Sequence, residues 1–183
     1  MRNKLFLVLL FVSFVAVVNA QTKFHVNPGF ILSQIDGDGI GGYTKLGYSL
    51  GAGFRFDKTD KYFTDFSTRI NRKGGWSSPY TVSLHYVEVD YSWNYTFYQN
   101  FYAGFGVAGG ALLFYRDVSY VPTNLPIERY DLFPLVNIGA RLNDNILLQV
   151  RLTRSIIPIT GLSRSVPNWF NRSILGELVI ELR

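Results

Sequence analysis

The sequence predicts an all-β protein, an eight-stranded antiparallel up-and-down transmembrane β-barrel. Three observations lead there. Apolar and polar residues alternate with period two over segments long enough to cross a bilayer, and short turns alternate with long loops between those segments. After the first twenty residues, no segment approaches the roughly 18 consecutive apolar residues of a spanning helix.

The first twenty residues are read as a signal peptide. Arg2 and Lys4 form a positive start, and Leu5 to Val18 form an apolar run broken only by Ser13. Val18 and Ala20 then put small residues at the −3 and −1 positions of a cleavage site. Cleavage after Ala20 leaves residues 21–183, the size of one domain. Without Arg2 and Lys4, the 18 basic residues of the whole chain shrink to a modest excess over the 13 acidic ones, so no nucleic-acid partner is expected. Cysteine is absent, which excludes a disulfide framework and thiolate metal sites; no cofactor is expected either. Stability must come from packing, and 15 Phe, 12 Tyr and 17 Gly point to aromatic-rich β-structure with a tight interior.

Eight segments carry the alternation, near 24–33, 43–56, 61–72, 84–97, 100–116, 128–142, 145–155 and 169–183. The first opens the barrel and ends in an Asp-Gly loop. The second is the cleanest: Leu46, Tyr48, Leu50, Ala52, Phe54 and Phe56 share one face, and Lys45, Gly47, Ser49, Gly51, Gly53 and Arg55 the other. The third sends Asp65 and Arg69 to its polar face. In the fourth, Val87, Val89, Tyr91, Trp93, Tyr95 and Phe97 oppose Tyr86, Glu88, Asp90, Ser92, Asn94 and Thr96. The fifth is long and glycine-rich, and the sixth points Phe133, Leu135 and Arg141 inward. The seventh sets Ile146, Leu148, Val150 and Leu152 against Gln149, Arg151, Thr153 and Ser155, and the eighth carries Glu177 and Glu181 inward. In a membrane barrel the apolar face meets lipid and the small polar face lines the lumen.

The connections support closure. Asp57 to Asp60, Tyr98-Gln99 and Asn143-Asp144 are short, whereas 34–42, 73–83, 117–127 and 156–168 each run to about ten residues. Outer-membrane barrels have short periplasmic turns and longer extracellular loops, and an even strand number puts both termini in the periplasm. Closure is required because an open sheet edge in hydrocarbon leaves N–H and C=O groups unpaired. Phe54, Phe56, Tyr62, Phe97 and Phe101 are placed at the periplasmic interface, and Tyr43, Tyr115, Tyr130, Trp169 and Phe170 at the outer one.

Parity sends ten ionisable residues into the lumen: Lys45, Arg55, Arg69, Arg141 and Arg151 against Asp65, Glu88, Asp90, Glu177 and Glu181. Glu88 and Asp90 are expected to face Arg141, Arg151 or other inward cations. Charges at membrane depth need partners, and eight strands leave a lumen just wide enough for side chains to fill. A closed, paired polar core is therefore the expectation. An ion path through it is the sharper alternative.

Three motifs are weighed against it. Gly104, Gly106 and Gly109 fit G-x-G-x-x-G, but a dinucleotide site needs a strand, a turn and a helix, and here they lie within one β-segment. Asp36 to Gly39 resembles the start of a calcium loop, yet the twelfth position is Gly47 where a glutamate is required. Ser83 and His85, two apart and thus on one face, permit a lipid-modifying enzyme with its site on the barrel exterior. The acids nearby, Glu88 and Asp90, point to the other face, and a nucleophilic serine needs a base and an orienting group.

The opening strand Phe30 to Gln34 with its Asp36-Gly37 loop, the Gly47/Gly51/Gly53 strand, Leu84 to Val89, and Tyr102 to Gly106 together resemble the PorT-like family of outer-membrane barrels. Asp90 stands where that family would carry proline. The resemblance implies a barrel fold and, for some members, a part in protein secretion by the type IX route. The resulting expectation is a non-enzymatic accessory or interaction barrel in secretion or envelope organisation. Its partners are outer-membrane lipid and other envelope or secretion proteins.

Overall fold

A computed structural model describes residues 21–37, 42–77, 80–118, 127–160 and 168–182. The segment expected to be a signal peptide and the middle of the Asp-Gly loop lie outside the described residues. The strands are β1 (Gln21–Asp36), β2 (Lys45–Asp57), β3 (Tyr62–Ser77), β4 (Tyr80–Tyr98), β5 (Phe101–Val118), β6 (Tyr130–Arg141), β7 (Ile146–Arg154) and β8 (Phe170–Leu182). Each pairs antiparallel with the next, and β8 returns to β1 from Phe24↔Leu182 to Asp36↔Phe170, so the sheet is a closed barrel with no edge through its girth. No helix occurs among the described residues.

Alternation becomes an inside and an outside. β2 shows it without interruption over its first half: Lys45, Gly47 and Ser49 are buried, while Leu46, Tyr48 and Leu50 are exposed. Exposed apolar side chains ring the wall, among them Phe30, Leu46, Phe105, Val136, Val150 and Leu178. In water such a belt would be an aggregation surface; against acyl chains it is the favourable arrangement. Short turns join the strands at one end, here the turn end. Thr59 Oγ1 accepts from the backbone N–H of Lys61 and Tyr62, and Asn143 Oδ1 from those of Asn145 and Ile146. These are the local bonds for which turns select Thr and Asn.

Two expectations require correction. The ten-residue loop expected at 73–83 is mostly ladder: Lys73↔Leu84, Gly74↔Ser83, Gly75↔Val82 and Trp76↔Thr81 continue the β3–β4 pairing. The Gly74-Gly75 pair suggests a loop, yet Gly74 takes φ 145° and exchanges bonds with Ser33, its N–H donating to Ser33 Oγ at 2.9 Å and its carbonyl accepting at 3.1 Å. The strand continues through a conformation that a side chain would forbid.

The second correction concerns β5. Between His85/Tyr86 and Phe114/Leu112 the register slips by one residue at Leu113, a β-bulge. Beyond it parity reverses, so Phe114 rather than Leu113 lies opposite the outward His85, and Tyr115 falls opposite the inward Leu84. Tyr115 is therefore displaced from its expected place in the outer aromatic girdle. Trp169 leaves that girdle too, packing instead against the buried cluster of Ile35, Leu84, Tyr86 and Ile159.

Candidate functional site: the charged lumen

The interior is a stack of polar layers between two apolar caps, with a small apolar cluster of Ala108, Phe133 and Leu135 on one side at mid-height. Phe63, Tyr102, Leu147 and Val179 close the turn end, with the Phe63 and Tyr102 rings edge-on at 5.1 Å. Outside this cap a vestibule of about 520 Å³ opens among Lys23, Asp57, Lys58 and Arg141. Ile35, Leu84, Tyr86 and Ile159 cap the loop end.

Ion pairs run between the caps. Near the turn end Arg55 donates to Glu181 at 2.6 Å and to Asp65 at 3.2 Å, and its guanidinium lies 4.3 Å from the Phe63 ring centre. His25 Nε2 stands 3.2 Å from Asp65, and Lys23 reaches Asp57 at 2.8 Å and Glu181 at 3.4 Å.

At mid-height four charges alternate in a ring. Arg69 meets Asp90 at 2.8 Å and Glu177 at 2.7 Å; Arg151 meets Asp90 at 2.8 Å and Glu177 at 3.6 Å. The four come from β3, β4, β7 and β8, so the ring spans the barrel rather than one hairpin. All four side chains are at most 4% exposed. Each charge has two opposite neighbours, the arrangement that offsets desolvation of a buried ion. Gln149 donates to Glu177 at 3.0 Å and accepts from the Tyr102 hydroxyl at 2.8 Å, tying the ring to the turn-end cap.

Above the ring, Glu88 pairs with Lys73 at 2.6 Å and accepts from Asn71 at 2.6 Å. Asp131 accepts from Ser155 at 2.7 Å and Asn171 at 2.9 Å, and Asn171 also donates to Tyr86 beneath the loop-end cap. The cavity flanked by Ile31, Arg69, Asn71, Glu88, Arg151 and Leu175 holds about 10 Å³, room for about one water.

The placement of the expected residues is uneven. Arg55, Asp65, Arg69, Glu88, Asp90, Arg151, Glu177 and Glu181 are buried and joined to partners. Of the cations expected to face Glu88 and Asp90, Arg151 meets Asp90 and the further inward Lys73 meets Glu88, whereas Arg141 sits at the turn end, 31% exposed, and approaches Glu181 at 3.8 Å. Lys45 is buried but stands apart, with no carboxylate partner among the described residues. Sequence reasoning missed Lys23, His25, Lys73 and Asp131. Parity contains the signal for each, but the expected first segment begins at 24, after Lys23, and the third ends at 72, before Lys73.

Ser83 and His85 do share the outer face of β4, though no hydrogen bond joins them. Ser83 Oγ accepts from Arg72 at 3.4 Å, and the His85 ring stacks on Phe114 at 4.2 Å. A nucleophile and base are not assembled by these contacts.

Among solved structures, Ail, the attachment invasion locus protein of Yersinia pestis, crystallised with the heparin analogue sucrose octasulfate, superposes over 88% of this chain and 99% of its own at a TM-score of 0.53 and 11% identity. Neisserial surface protein A superposes over 88% and 99% at a TM-score of 0.57 and 10% identity. This is the fold of outer-membrane β-barrels. Ail in a phospholipid bilayer nanodisc gives the same coverage of this chain at a TM-score of 0.50 and 10% identity. No protein-family model and no curated protein matches the sequence.

Proposed function

We propose that this chain is a non-enzymatic outer-membrane barrel, exported by its signal peptide, with both termini in the periplasm and its working surface at the loop end. The observation that carries the reading is a tall wall over a sealed lumen. β4 has 19 residues and β7 only 9, where roughly 9–11 suffice to cross a bilayer. At about 3.3 Å per residue, β3, β4 and β5 continue well past β6 and β7, the β5–β6 ladder ending at Ala111↔Tyr130 while β5 runs on to Val118. That excess lies at the loop end, because Tyr98↔Phe101 and Arg141↔Leu147 both close near the turns. Exposed Trp76 stands on this wall. A surface of this kind suits contact with another envelope component. The likeness to the PorT-like family favours a partner in protein secretion.

Two measurements test it. The folded protein should fractionate with outer membranes and migrate faster on gels before boiling than after. A photo-crosslinker at Trp76 should capture an envelope protein in intact cells, and one at Asp60 in the turns should not give the same adduct. Soluble periplasmic protein with no heat-dependent shift would overturn the location; identical adducts from both ends would overturn the choice of surface.

A further inference from the structure

The outer face of the wall carries a cationic patch that no carboxylate neutralises among the described residues. Arg72 on β3 lies opposite His85 on β4, and Ser83 lies between Gly74 on β3 and Arg116 on β5. Arg116 shares this face only because the bulge at Leu113 reverses the parity of β5. The Arg72 guanidinium donates to Ser83 Oγ, while its Nε is shut from solvent with no partner. No carboxylate pairs with Arg72 or Arg116 among the described residues. The contrast lies across the barrel, where outward Arg154 and Arg172 share Asp36 at 3.7 and 3.0 Å. Among the described residues, one arginine pair is compensated and the other is not.

Below the uncompensated pair, on the same strands, the wall is notched. Val87↔Ala111 and Val89↔Gly109 continue β4 and β5 toward mid-barrel, with Tyr130 and Leu132 of β6 alongside. Together with Ile157 they line a groove of about 440 Å³, within the ~300–1,000 Å³ of ligand clefts. A Cβ added at Gly109 would meet nothing within 4 Å, so the missing side chain leaves open space rather than satisfying close packing. Head and groove thus follow one line down the barrel, cationic near the loop end and apolar toward the middle.

We propose that this line is a seat for an acyl lipid bearing a phosphate monoester, its phosphate on Arg72 and Arg116 with Ser83 between, and an acyl chain in the Gly109 groove. An arginine fork matches phosphate oxygens in geometry and charge, and a guanidinium left unpaired at a lipid-facing rim gains most from an anionic headgroup. Ser83 and His85 then serve binding rather than catalysis. The inference rests on the outer-membrane reading, under which the loop end meets the outer leaflet.

Purified barrel in zwitterionic micelles, titrated with bisphosphorylated lipid A and followed by native mass spectrometry, provides the test. The wild type should retain lipid A at least tenfold better than its dephosphorylated form. The Arg72→Gln/Arg116→Gln double variant should lose that preference, and Gly109→Leu should weaken both lipids. Arg154→Gln/Arg172→Gln should behave as wild type. Heat-dependent gel mobility verifies folding of each variant, and membrane fractionation of the wild type tests the location separately. Equal retention of the phosphorylated and dephosphorylated lipids, or an undiminished preference in the folded Arg72/Arg116 variant, would overturn the seat while leaving the outer-membrane reading intact.

Discussion

Glu177 shows how little freedom a single lumen residue has. Its carboxylate is fully buried and contacts Arg69, Arg151 and Gln149. Glu177→Leu leaves two guanidinium groups facing Asp90 alone, and breaking such a buried pair costs about 3–5 kcal/mol. Urea unfolding in micelles should show that loss. Combining Glu177→Leu with Arg69→Met should cost clearly less than the two single changes added, because the double variant removes a stranded charge along with its partner. Strict additivity would mean that the ring does not act as a unit. The inward direction of Glu177, Arg69, Asp90 and Arg151 was legible from parity within each strand. Their pairing was not, since it depends on which strands face each other across a closed barrel. Arg141 illustrates the difference: its parity is right, but its height in the barrel puts it beside Glu181, away from Asp90.

At the scale of the strand, glycines divide into those that admit a neighbour and those that leave a gap. A Cβ at Gly139 on β6 would run into the Tyr102 ring and the Leu148 carbonyl, whereas one at Gly109 on β5 meets nothing. Tyr102 is held by Gln149 and cannot swing aside freely. Gly139→Ala should therefore destabilise the barrel by about 1–3 kcal/mol, the usual cost of overpacking. Gly109→Ala should fall within about 0.5 kcal/mol of wild type. The temperature at which the gel shift is lost ranks the two, and equal effects would refute this division. Strand existence and face were readable from period two alone. The β3–β4 extension was hidden because Gly74-Gly75 has the composition of a turn, and the Leu113 bulge because one extra residue leaves no mark on composition. Both departures lie at the loop end, and the bulge is what brings Arg116 beside Ser83.

For the molecule as a whole, the decisive quantity is the width of the lumen. Eight strands enclose about one layer of side chains, unlike the water-filled channels of 16–18-stranded porins. Arg55, Arg69, Tyr86, Tyr102 and Phe133 fill that layer, each no more than 2% exposed. The ring of Arg69, Asp90, Arg151 and Glu177 crosses it at mid-height, and an apolar cap closes each end. An ion entering from the turn-end vestibule would have to displace Phe63, Tyr102 and Leu147 and then part charges already paired. The alternating signs offer neither cations nor anions a continuous wall, which a selective pore requires. Purified protein in a planar bilayer should therefore show no steady single-channel conductance at moderate voltage. Glu177→Leu strands charges as well as opening space, so the sharper variant is Tyr102→Ala/Phe63→Ala, which removes both rings of the turn-end cap but leaves the charge ring. That variant should remain closed as well, because the ring and the loop-end cap still block the path. A reproducible, ion-selective conductance in the wild type, abolished by Arg151→Gln, would show that the lumen is a channel.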